Sequence, residues 1–183
     1  IVLADRPLFM GEAKISAAER GIAYHTVMQH VPLHEEVTAE SVAALIERLV
    51  SMELLTAELA KTIDAALVAD FFRSDLGRRM AKADILYREQ PFSYRLPAGE
   101  VYREAEGGAA QENMLVQGVI DCMFVEPDGI VLVDYKTDRT EGRNIEEVAA
   151  QYDIQIELYA RAVAHILGMP VKESYLYFFD GPH

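Results

Sequence analysis

The sequence contains one cysteine, Cys122, among its 183 residues. A single cysteine cannot form an internal disulfide, and it excludes a multi-cysteine zinc site or an iron–sulfur cluster held by this chain alone. Cys122 lies in a mostly apolar segment, so we interpret it as a small core residue rather than a nucleophile. Cysteine usage of this kind fits a reducing compartment, and we expect a cytoplasmic location.

Long apolar runs, a signal-peptide pattern and internal repeats are also missing. No run approaches the ~20 apolar residues that span a bilayer, so we predict no membrane association. No glycine-rich loop ends in Gly-Lys-Ser/Thr, so this chain is not itself an ATP motor. With 51% hydrophobic and 26% charged residues, the chain is most simply one folded domain. It begins with Ile1 rather than Met, and we therefore expect a fragment or a processed product.

Basic residues are scarce. Lysine and arginine total 17 against 30 acidic residues, which gives a net charge of −13. Because phosphate contacts come mainly from these basic side chains, the chain should hold a polyanion poorly by itself. Either the function does not involve nucleic acid, or another polypeptide delivers the strand. We favour the second interpretation, because a bound metal ion can reverse the sign of the field locally.

The pattern of apolar residues predicts a mixed α/β fold. Ser16 and Glu19 form a capping box, which predicts a helix from Ala17 to about His30. Residues 39–83 read as a small helical subdomain, in which Asp64 and Asp75 are candidate N-caps. The remaining predicted elements are a strand over 85–96 with a break near Pro91, a hairpin over 116–125 and 130–133, a helix from about Ile145 or Val148 to Leu167 ended by Gly168, and a strand over 174–179.

This order of elements predicts a sheet covered by its first and last helices. We treat residues 1–183 as a single domain. Within it, about 39–83 form the helical insert, and about 85–183 form the catalytic sheet and the last helix.

The hairpin carries the residues most suggestive of chemistry. Asp121 interrupts one apolar strand, while Asp134 and Lys136 follow the next one and share a strand face. Two carboxylates with a nearby lysine suit a hard divalent cation and a negatively charged substrate, and the main-chain carbonyl of Tyr135 is a further candidate ligand. The alternative is a surface Asp–Lys pair at a strand end, which would contribute little energy.

Hairpin geometry tests this interpretation. A three-residue loop at Pro127–Gly129 would place Asp121 opposite Tyr135 and on the other face from Asp134. A two- or four-residue loop, or a bulge, would bring Asp121 onto the face of Asp134. The pair Asp128-Gly129 favours a two-residue turn, although the preceding proline is awkward for its closing hydrogen bond.

Other polar residues are candidates with ordinary alternatives. His25 lies in the middle of the first helix, and from this helix alone we favour a hydrogen-bonded core or surface histidine over a metal ligand. Gln155 and Tyr159 are four residues apart and share a helix face, so they could bind a phosphate or position Lys136, or could belong to a plain polar stripe. Tyr152 is another candidate at the same edge. Glu89 is either a supporting carboxylate near the metal ligands or a solvated strand residue.

Taken together, five elements resemble the RecB-type nucleases of the PD-(D/E)XK superfamily, and the similarity extends over nearly the whole chain. These elements are Gly21-x-x-x-His25, Glu89 before Pro91-Phe92, Gly118-Val-Ile-Asp121, Asp134-Tyr-Lys136-Thr137 and Gln155-x-x-x-Tyr159. More narrowly, Ala18-Glu-Arg-Gly21, the segment from His25 to His30 and Asp134-Tyr-Lys-Thr-Asp-Arg139 are similar to the C-terminal nuclease domains of AddA-type helicase–nuclease subunits.

The resemblance implies a restriction-endonuclease-like fold with a mixed central sheet. It implies that His25, Asp121, Asp134 and the Tyr135 carbonyl bind Mg²⁺ or Mn²⁺ and that Lys136 is catalytic. It also implies that Gln155 and Tyr159 support the site. Some relatives hold an iron–sulfur cluster with four cysteines, a feature that this chain lacks.

The resemblance further implies an exonuclease that processes double-strand breaks for recombination. An upstream helicase region would unwind DNA and deliver a single strand, and a companion AddB-like subunit would complete the basic channel. Two other interpretations stay open. One is a nuclease-like fold that no longer cuts and serves as a docking module; the other is a small enzyme that acts on a nucleotide or another phosphate ester.

Overall fold

The computed structural model describes residues 15–101, 113–138 and 144–180. The chain forms helix α1, a helical block, a four-stranded sheet and a helical crossover before the last strand. The element bounds are α1 Ala17–His30, α2 Ala39–Ser51, α3 Ala57–Ala60, α4 Ala65–Arg73, α5 Asp75–Lys82, β1 Ile85–Pro97, α6 Ala98–Val101, β2 Asn113–Glu126, β3 Gly129–Lys136, α7 Ile145–Ala150, α8 Asp153–Leu167 and β4 Val171–Phe178.

Helix α1 begins and ends where the sequence predicts. The Ser16 hydroxyl accepts a hydrogen bond from the main-chain N–H of Glu19, and the Glu19 carboxylate accepts one from the main-chain N–H of Ser16. These reciprocal bonds satisfy two of the N–H groups that a helix start leaves without partners. At the other end, the Arg88 guanidinium donates to the carbonyls of Met28 and Val31. The helix that carries His25 is therefore fixed at both ends.

The predicted helical block is confirmed, with one change of cap. The Asp64 side chain accepts from the N–H of Ala66 and caps α4, as expected. The prediction for Asp75 is wrong: Ser74 caps α5 by accepting from the N–H of Gly77, and Asp75 is the first helical residue. A carboxylate in the first turn still interacts favourably with the helix dipole.

The strands lie in the order β1-β2-β3-β4, with β4 parallel to β3 and the other neighbours antiparallel. The prediction of one long helix before β4 is wrong, because the crossover consists of α7 and α8 with a break at residues 151–152. Gly168 ends α8 in the left-handed conformation, with φ of 65°, as predicted. The mixed sheet flanked by helices confirms the predicted fold class.

In the described part of the chain, apolar clusters cover both faces of the sheet, with two of them on the α8 side. On one face, α1, α2, α4 and α5 pack on β2 and β3 around buried aromatic rings such as Tyr24, Phe71 and Phe124. On the other face, α8 covers Ile120, Met123 and neighbouring residues. The helical block shares its core with the sheet, so burial of these aromatic rings fixes α1 against the strands. The proposed subdivision at about 39–83 and 85–183 remains a prediction.

The β2–β3 hairpin has a two-residue loop. Glu126 pairs with Gly129, which leaves Pro127 and Asp128 as the loop rather than Asp128 and Gly129. Gly129 has φ of 149°, and a Cβ there would lie 2.7 Å from the Pro170 carbonyl oxygen. Only glycine fits this position without strain. The even loop length gives the register that the site hypothesis requires.

Candidate active site

Asp121 lies where strands β2 and β3 separate. The last regular pair of their ladder is Cys122 with Val133, so the same register places Asp121 opposite Asp134. The main-chain N–H of Tyr135 donates to Asp121 Oδ2 at 2.8 Å. The carboxylate thus accepts a bond that a main-chain carbonyl would accept in a regular ladder. The two acids converge at the end of the hairpin, as the hairpin hypothesis requires.

The neighbouring strand is irregular at the same level. Arg88 pairs with Cys122 and Gln90 with Ile120, whereas Glu89 between them is outside the regular pairing and has φ of 50°. A positive φ at a non-glycine residue costs on the order of 1–3 kcal/mol. The sequence predicted a break near Pro91; the irregularity instead lies two residues earlier.

Strand β2 also loses its strict alternation here. Ile120 and Met123 contact the same core beneath α8 although they are three residues apart. In a regular strand such residues point to opposite faces. Asp121 belongs to none of the apolar clusters that cover the sheet, and its carboxylate lies beside His25 together with that of Glu89.

His25 lies at the centre of these groups. Its Nδ1 is 3.2 Å from Asp121 Oδ1 and 3.3 Å from Glu89 Oε1, and its Nε2 is 3.1 Å from the Tyr135 carbonyl oxygen. Candidate ligand atoms of His25, Glu89 and Asp121 all lie within 4.8 Å of one another. Helix α1, β1, β2 and β3 each contribute one group, so the site depends on the whole fold.

The surroundings of His25 favour the imidazolium form. Both ring nitrogens face acceptors, so the charged ring can donate to the Tyr135 carbonyl and to the two carboxylates. Burial opposes the charge, but hydrogen bonds and attraction from Asp121 and Glu89 raise the pKa of His25 to about 10. In the metal-free protein this imidazolium takes the position of a cation among the acids.

Asp121 and Asp134 lie in the same buried environment, but their pKa values shift in opposite directions. Burial, followed by hydrogen bonding and repulsion from Asp121, raises the pKa of Asp134 to about 7 despite the nearby Lys136 ammonium. Burial alone would also raise the pKa of Asp121, but hydrogen bonds from His25, Asp134 and the Tyr135 N–H hold it below its ordinary value. Two close carboxylates cannot both ionise freely, so the pKa of Asp134 is raised while that of Asp121 is lowered.

Lys136 stands beside this pair. Its Nζ lies 2.8 Å from Asp134 Oδ2, and its side chain is 15% exposed. The same Nζ lies 4.0 Å from the centre of the Tyr152 ring. The structure therefore brings His25, Asp121, Asp134, the Tyr135 carbonyl and Lys136 together, as the sequence suggested.

Gln155 and Tyr159 lie farther along α8 and contact each other. Gln155 Nε2 donates to the Tyr159 hydroxyl at 3.5 Å, and the Tyr159 ring packs edge-on against Phe92 with ring centres 4.8 Å apart. The Tyr159 hydroxyl rests against the main chain of Gly118, where an added Cβ would lie 2.1 Å away. This close approach explains why residue 118, in the Gly118-Val-Ile-Asp121 segment, is a glycine: a side chain there would clash with Tyr159.

Two features of the site were not clear from the sequence. Glu89 was expected to support the ligands from nearby, whereas its carboxylate contacts His25 directly in the cluster. Asp138 was not singled out, yet it accepts a hydrogen bond from the Tyr152 hydroxyl. Asp138 lies just beyond the end of β3 at Lys136, so no strand periodicity identifies it from the sequence.

A groove of about 380 Å³ opens beside His25 and Glu89. Its walls come mainly from the exposed side of α1 and include the half-buried Gly21 and the exposed Ile22. The groove gives the acidic cluster access to solvent, and therefore to a substrate.

The donor set fits a hard divalent cation. Carboxylate and carbonyl oxygens are preferred by Mg²⁺ and Mn²⁺, and one imidazole nitrogen is compatible with Mn²⁺ in particular. Three acids around one small volume are costly without a counter-charge. The raised pKa of Asp134 reflects the same crowding of acids, since burial and the neighbouring Asp121 both disfavour its charged form.

Cys122 takes no part in this chemistry. Its side chain is fully buried, and burial raises the pKa of its thiol to about 12. This confirms the interpretation of Cys122 as a core residue. Among the residues that the structure describes, no helix has the length and apolar character that a bilayer crossing requires.

Comparison with known proteins agrees with this geometry. The sequence profile of the PD-(D/E)XK nuclease superfamily matches residues 4–183. An ATP-dependent helicase/nuclease subunit of Geobacillus thermodenitrificans is 46% identical over 188 residues, which cover 99% of this chain and 15% of that protein. The subunit of the same name from Bacillus velezensis is 48% identical over 189 residues, covering 100% and 15% of the two chains. That from Acetivibrio thermocellus is 44% identical over 183 residues, covering 98% and 14%. The chain thus spans about 15% of the length of these curated relatives.

Proposed function

Because this chain belongs to the PD-(D/E)XK nuclease superfamily, we propose that it is a metal-dependent DNA exonuclease domain. In this proposal it hydrolyses phosphodiester bonds of single-stranded DNA. The observation that carries the proposal is the convergence of His25, Asp121, Asp134 and the Tyr135 carbonyl, with the Lys136 ammonium alongside.

These groups divide the chemistry among them. His25, Asp121, Asp134 and the Tyr135 carbonyl would hold Mg²⁺ or Mn²⁺. Glu89 is a further candidate ligand, because ligand atoms of His25, Glu89 and Asp121 lie within 4.8 Å of one another. The cation supplies Lewis acidity, which neutralises charge on phosphate oxygens and lowers the pKa of the attacking water. Lys136 stabilises the negative charge that builds on the phosphate during the reaction.

In this proposal Gln155 and Tyr159 position the DNA strand and take no part in breaking the phosphodiester bond. Gln155 and Tyr159 form one hydrogen-bonded pair on α8, close to the strand that carries Asp121. In this proposal the pair contacts the phosphate backbone of the strand as it approaches Lys136. Tyrosine hydroxyls and glutamine amides are ordinary phosphate contacts in nucleic-acid binding.

The net charge of −13 indicates that this domain does not capture DNA alone. The relatives are named as helicase/nuclease subunits. We propose that a helicase region upstream of this domain unwinds DNA at double-strand breaks and delivers a single strand to the groove beside His25. An AddB-like companion subunit would supply the basic channel, and the complex would act in cytoplasmic recombinational repair.

The test uses the complete protein that contains this chain, purified with and without the substitution Asp121→Asn, Asp134→Asn or Lys136→Ala. We expect Mn²⁺- or Mg²⁺-dependent release of nucleotides from an end-labelled single strand by the unsubstituted protein. Each substitution should lower that rate at least ~100-fold, because a lost ligand or charge-stabilising group acts on the transition state. Glu47→Gln, on the exposed side of α2, is the matched control with an unchanged rate.

The result also separates the alternatives. A catalytically inactive docking module would leave the strand intact at every Mn²⁺ concentration. An enzyme for small phosphate esters would hydrolyse nucleotides faster than an oligonucleotide. Either outcome, or near-normal cleavage by one of the three variants, would contradict the proposal.

A further inference from the structure

The ammonium group of Lys136 has two different neighbours in the structure. On one side is the Asp134 carboxylate at 2.8 Å; on the other is the face of the Tyr152 ring, with its centre 4.0 Å from Nζ. A cation within about 6 Å of an aromatic face is attracted by the ring quadrupole. The Lys136 ammonium therefore contacts the Asp134 carboxyl group and the Tyr152 ring at the same time.

Tyr152 is itself held in place. Its hydroxyl donates to the Asp138 carboxylate, with oxygen–oxygen distances of 2.9 and 3.0 Å. Burial and the neighbouring Asp138 raise the pKa of Tyr152 to about 12, so the hydroxyl remains a donor throughout the physiological range. Asp138 follows Lys136 by two residues. The lysine and the group that fixes its aromatic partner thus belong to one short segment.

The break between α7 and α8 places the ring there. Tyr152 is the residue that precedes α8, and its own side chain makes no capping bond to that helix. A continuous helix from 145 to 167 would give residue 152 a helical position, whereas the break leaves its side chain bonded to Asp138. The interruption that the sequence did not predict therefore has a local consequence at Lys136.

We propose that Tyr152, oriented by Asp138, is a positioning residue that keeps the Lys136 ammonium in the site when Asp134 is engaged by a cation. This inference rests on the proposed nuclease function. A lysine side chain has four rotatable bonds, and in the metal-free protein the Asp134 carboxyl oxygen, 2.8 Å from Nζ, is its main polar contact. Once Asp134 is occupied by a cation, that contact weakens, and the ring is the partner that remains.

An aromatic face is suited to this role for a chemical reason. A second carboxylate would also hold the ammonium, but it would accept its N–H bonds and neutralise its charge. The ring attracts the charge without accepting a strong hydrogen bond, so the N–H groups stay available for a phosphate oxygen or a water. Tyr152 thus restrains Lys136 while leaving its charge to act on the substrate.

The first experiment compares Tyr152→Leu, which removes the ring, with Tyr152→Phe, which keeps the ring and loses the bond to Asp138. Steady-state cleavage of a labelled single strand is measured with the complete protein in Mn²⁺. We expect Tyr152→Leu to lower kcat about tenfold or more with KM within about twofold, and Tyr152→Phe to lower kcat by only about two- to threefold. Tyr175→Phe, which loses a hydroxyl bond to Glu173 on β4, is the matched control with unchanged kcat.

The second experiment tests whether Asp138 acts through the ring. Asp138→Ala should lower kcat in the native background and have no further effect in the Tyr152→Leu background. Independent, multiplying effects of the two substitutions would overturn the proposal. The proposal would also be overturned by a Tyr152→Leu variant that cleaves at the native rate, or by one with native kcat and only a raised KM.

A third measurement does not depend on cleavage. In metal-free protein with isotope-labelled lysine, the ring over Lys136 should shift the proton signals of its terminal CH₂ group upfield. This shift should persist in Tyr152→Phe and disappear in Tyr152→Leu. A Lys136 signal that is identical in all three proteins would refute the contact, even if the native protein proved not to cleave DNA. Absence of cleavage with the shift present would instead count against the proposed function alone.

Discussion

The Gly118→Ala substitution tests the packing that connects the Asp121 strand to α8. An ideal Cβ at Gly118 would lie 2.1 Å from the Tyr159 hydroxyl oxygen and 2.6 Å from its Cζ. Ordinary contacts between such atoms are near 3.5 Å, so the ring end must move by more than an ångström. Tyr159 is a rigid ring packed against Phe92, and it cannot yield by rotating a flexible chain end.

Overpacking of this kind typically costs about 1–3 kcal/mol. We expect Gly118→Ala to lower the free energy of unfolding by roughly 2 kcal/mol in urea denaturation, with an unchanged m-value. Displacement of Tyr159 would also disturb its hydrogen bond with Gln155 and shift the strand that carries Asp121. We therefore expect at least a tenfold loss of nuclease rate.

Gly21→Ala is the matched control, because it adds the same methyl group to the other glycine-containing motif. A Cβ at Gly21 would lie 3.5 Å from Thr137 Oγ1, which is an ordinary contact. Since Gly21 lies inside α1, alanine should stabilise the protein by up to about 1 kcal/mol. The two substitutions are thus expected to change stability in opposite directions.

A double-mutant cycle with Tyr159→Leu isolates the contact. Removing the ring end should recover about 1 kcal/mol or more of the loss caused by Gly118→Ala. The reasoning would be refuted if Gly118→Ala retained native stability within about 0.5 kcal/mol. It would also fail if the two substitutions proved additive.

Three further predictions concern protonation. Calorimetric titration of the metal-free protein with Mn²⁺, in buffers of different ionisation enthalpy, should show release of about two protons per ion at pH 6 and about one at pH 8. His25 must lose a proton at both pH values, whereas Asp134 loses one mainly at the lower pH. Binding of Mn²⁺ without proton release would contradict the ligand assignment. Asp134→Asn should raise the unfolding free energy of the metal-free protein by roughly 2 kcal/mol at pH 8 and leave it nearly unchanged at pH 4. The reason is that a carboxyl group with a raised pKa destabilises the fold only as the pH rises from about 4 through 7. Equal melting temperatures of the variant and the native protein at pH 8 would contradict this prediction. The Cys122 thiol should resist alkylation until the protein unfolds, since it is buried and its pKa is about 12. Rapid labelling of Cys122 in native buffer would contradict its burial in the core.

Local signals account for what the sequence predicted correctly. The capping box at Ser16 and Glu19 fixes the start of α1, and Gly168 in the left-handed conformation fixes the end of α8. Each depends on residues within one turn of the chain, so the pattern is readable without tertiary structure. The convergence of Asp121 and Asp134 depended on the loop length, which the sequence left open; the structure has an even loop, formed by Pro127 and Asp128.

Non-local contacts account for what was missed. The break before α8 contains neither proline nor glycine, so no local signal marks it. Tyr152 is a candidate from the sequence, but its contacts with Asp138 and Lys136 form only after the crossover has folded onto the sheet. The positive φ of Glu89 has no sequence signal either, because it depends on the partner strand across from it. Ser74 and Asp75 are adjacent and equally good caps, and packing of α5 decides between them.

The protonation pattern bears on how so acidic a domain can serve a polyanionic substrate. In the metal-free site, the raised pKa values of His25 and Asp134 favour a charged imidazole ring and a protonated Asp134, and with the Lys136 ammonium these groups offset the Asp121 and Glu89 carboxylates. Entry of one divalent cation with loss of the His25 and Asp134 protons leaves the total charge of the site unchanged. The exchange therefore spares the fold a large electrostatic cost, but it also leaves no excess positive charge to attract DNA. Since the whole chain carries −13, a strand must reach the groove by means other than this domain's own field, and delivery by an attached motor satisfies that requirement.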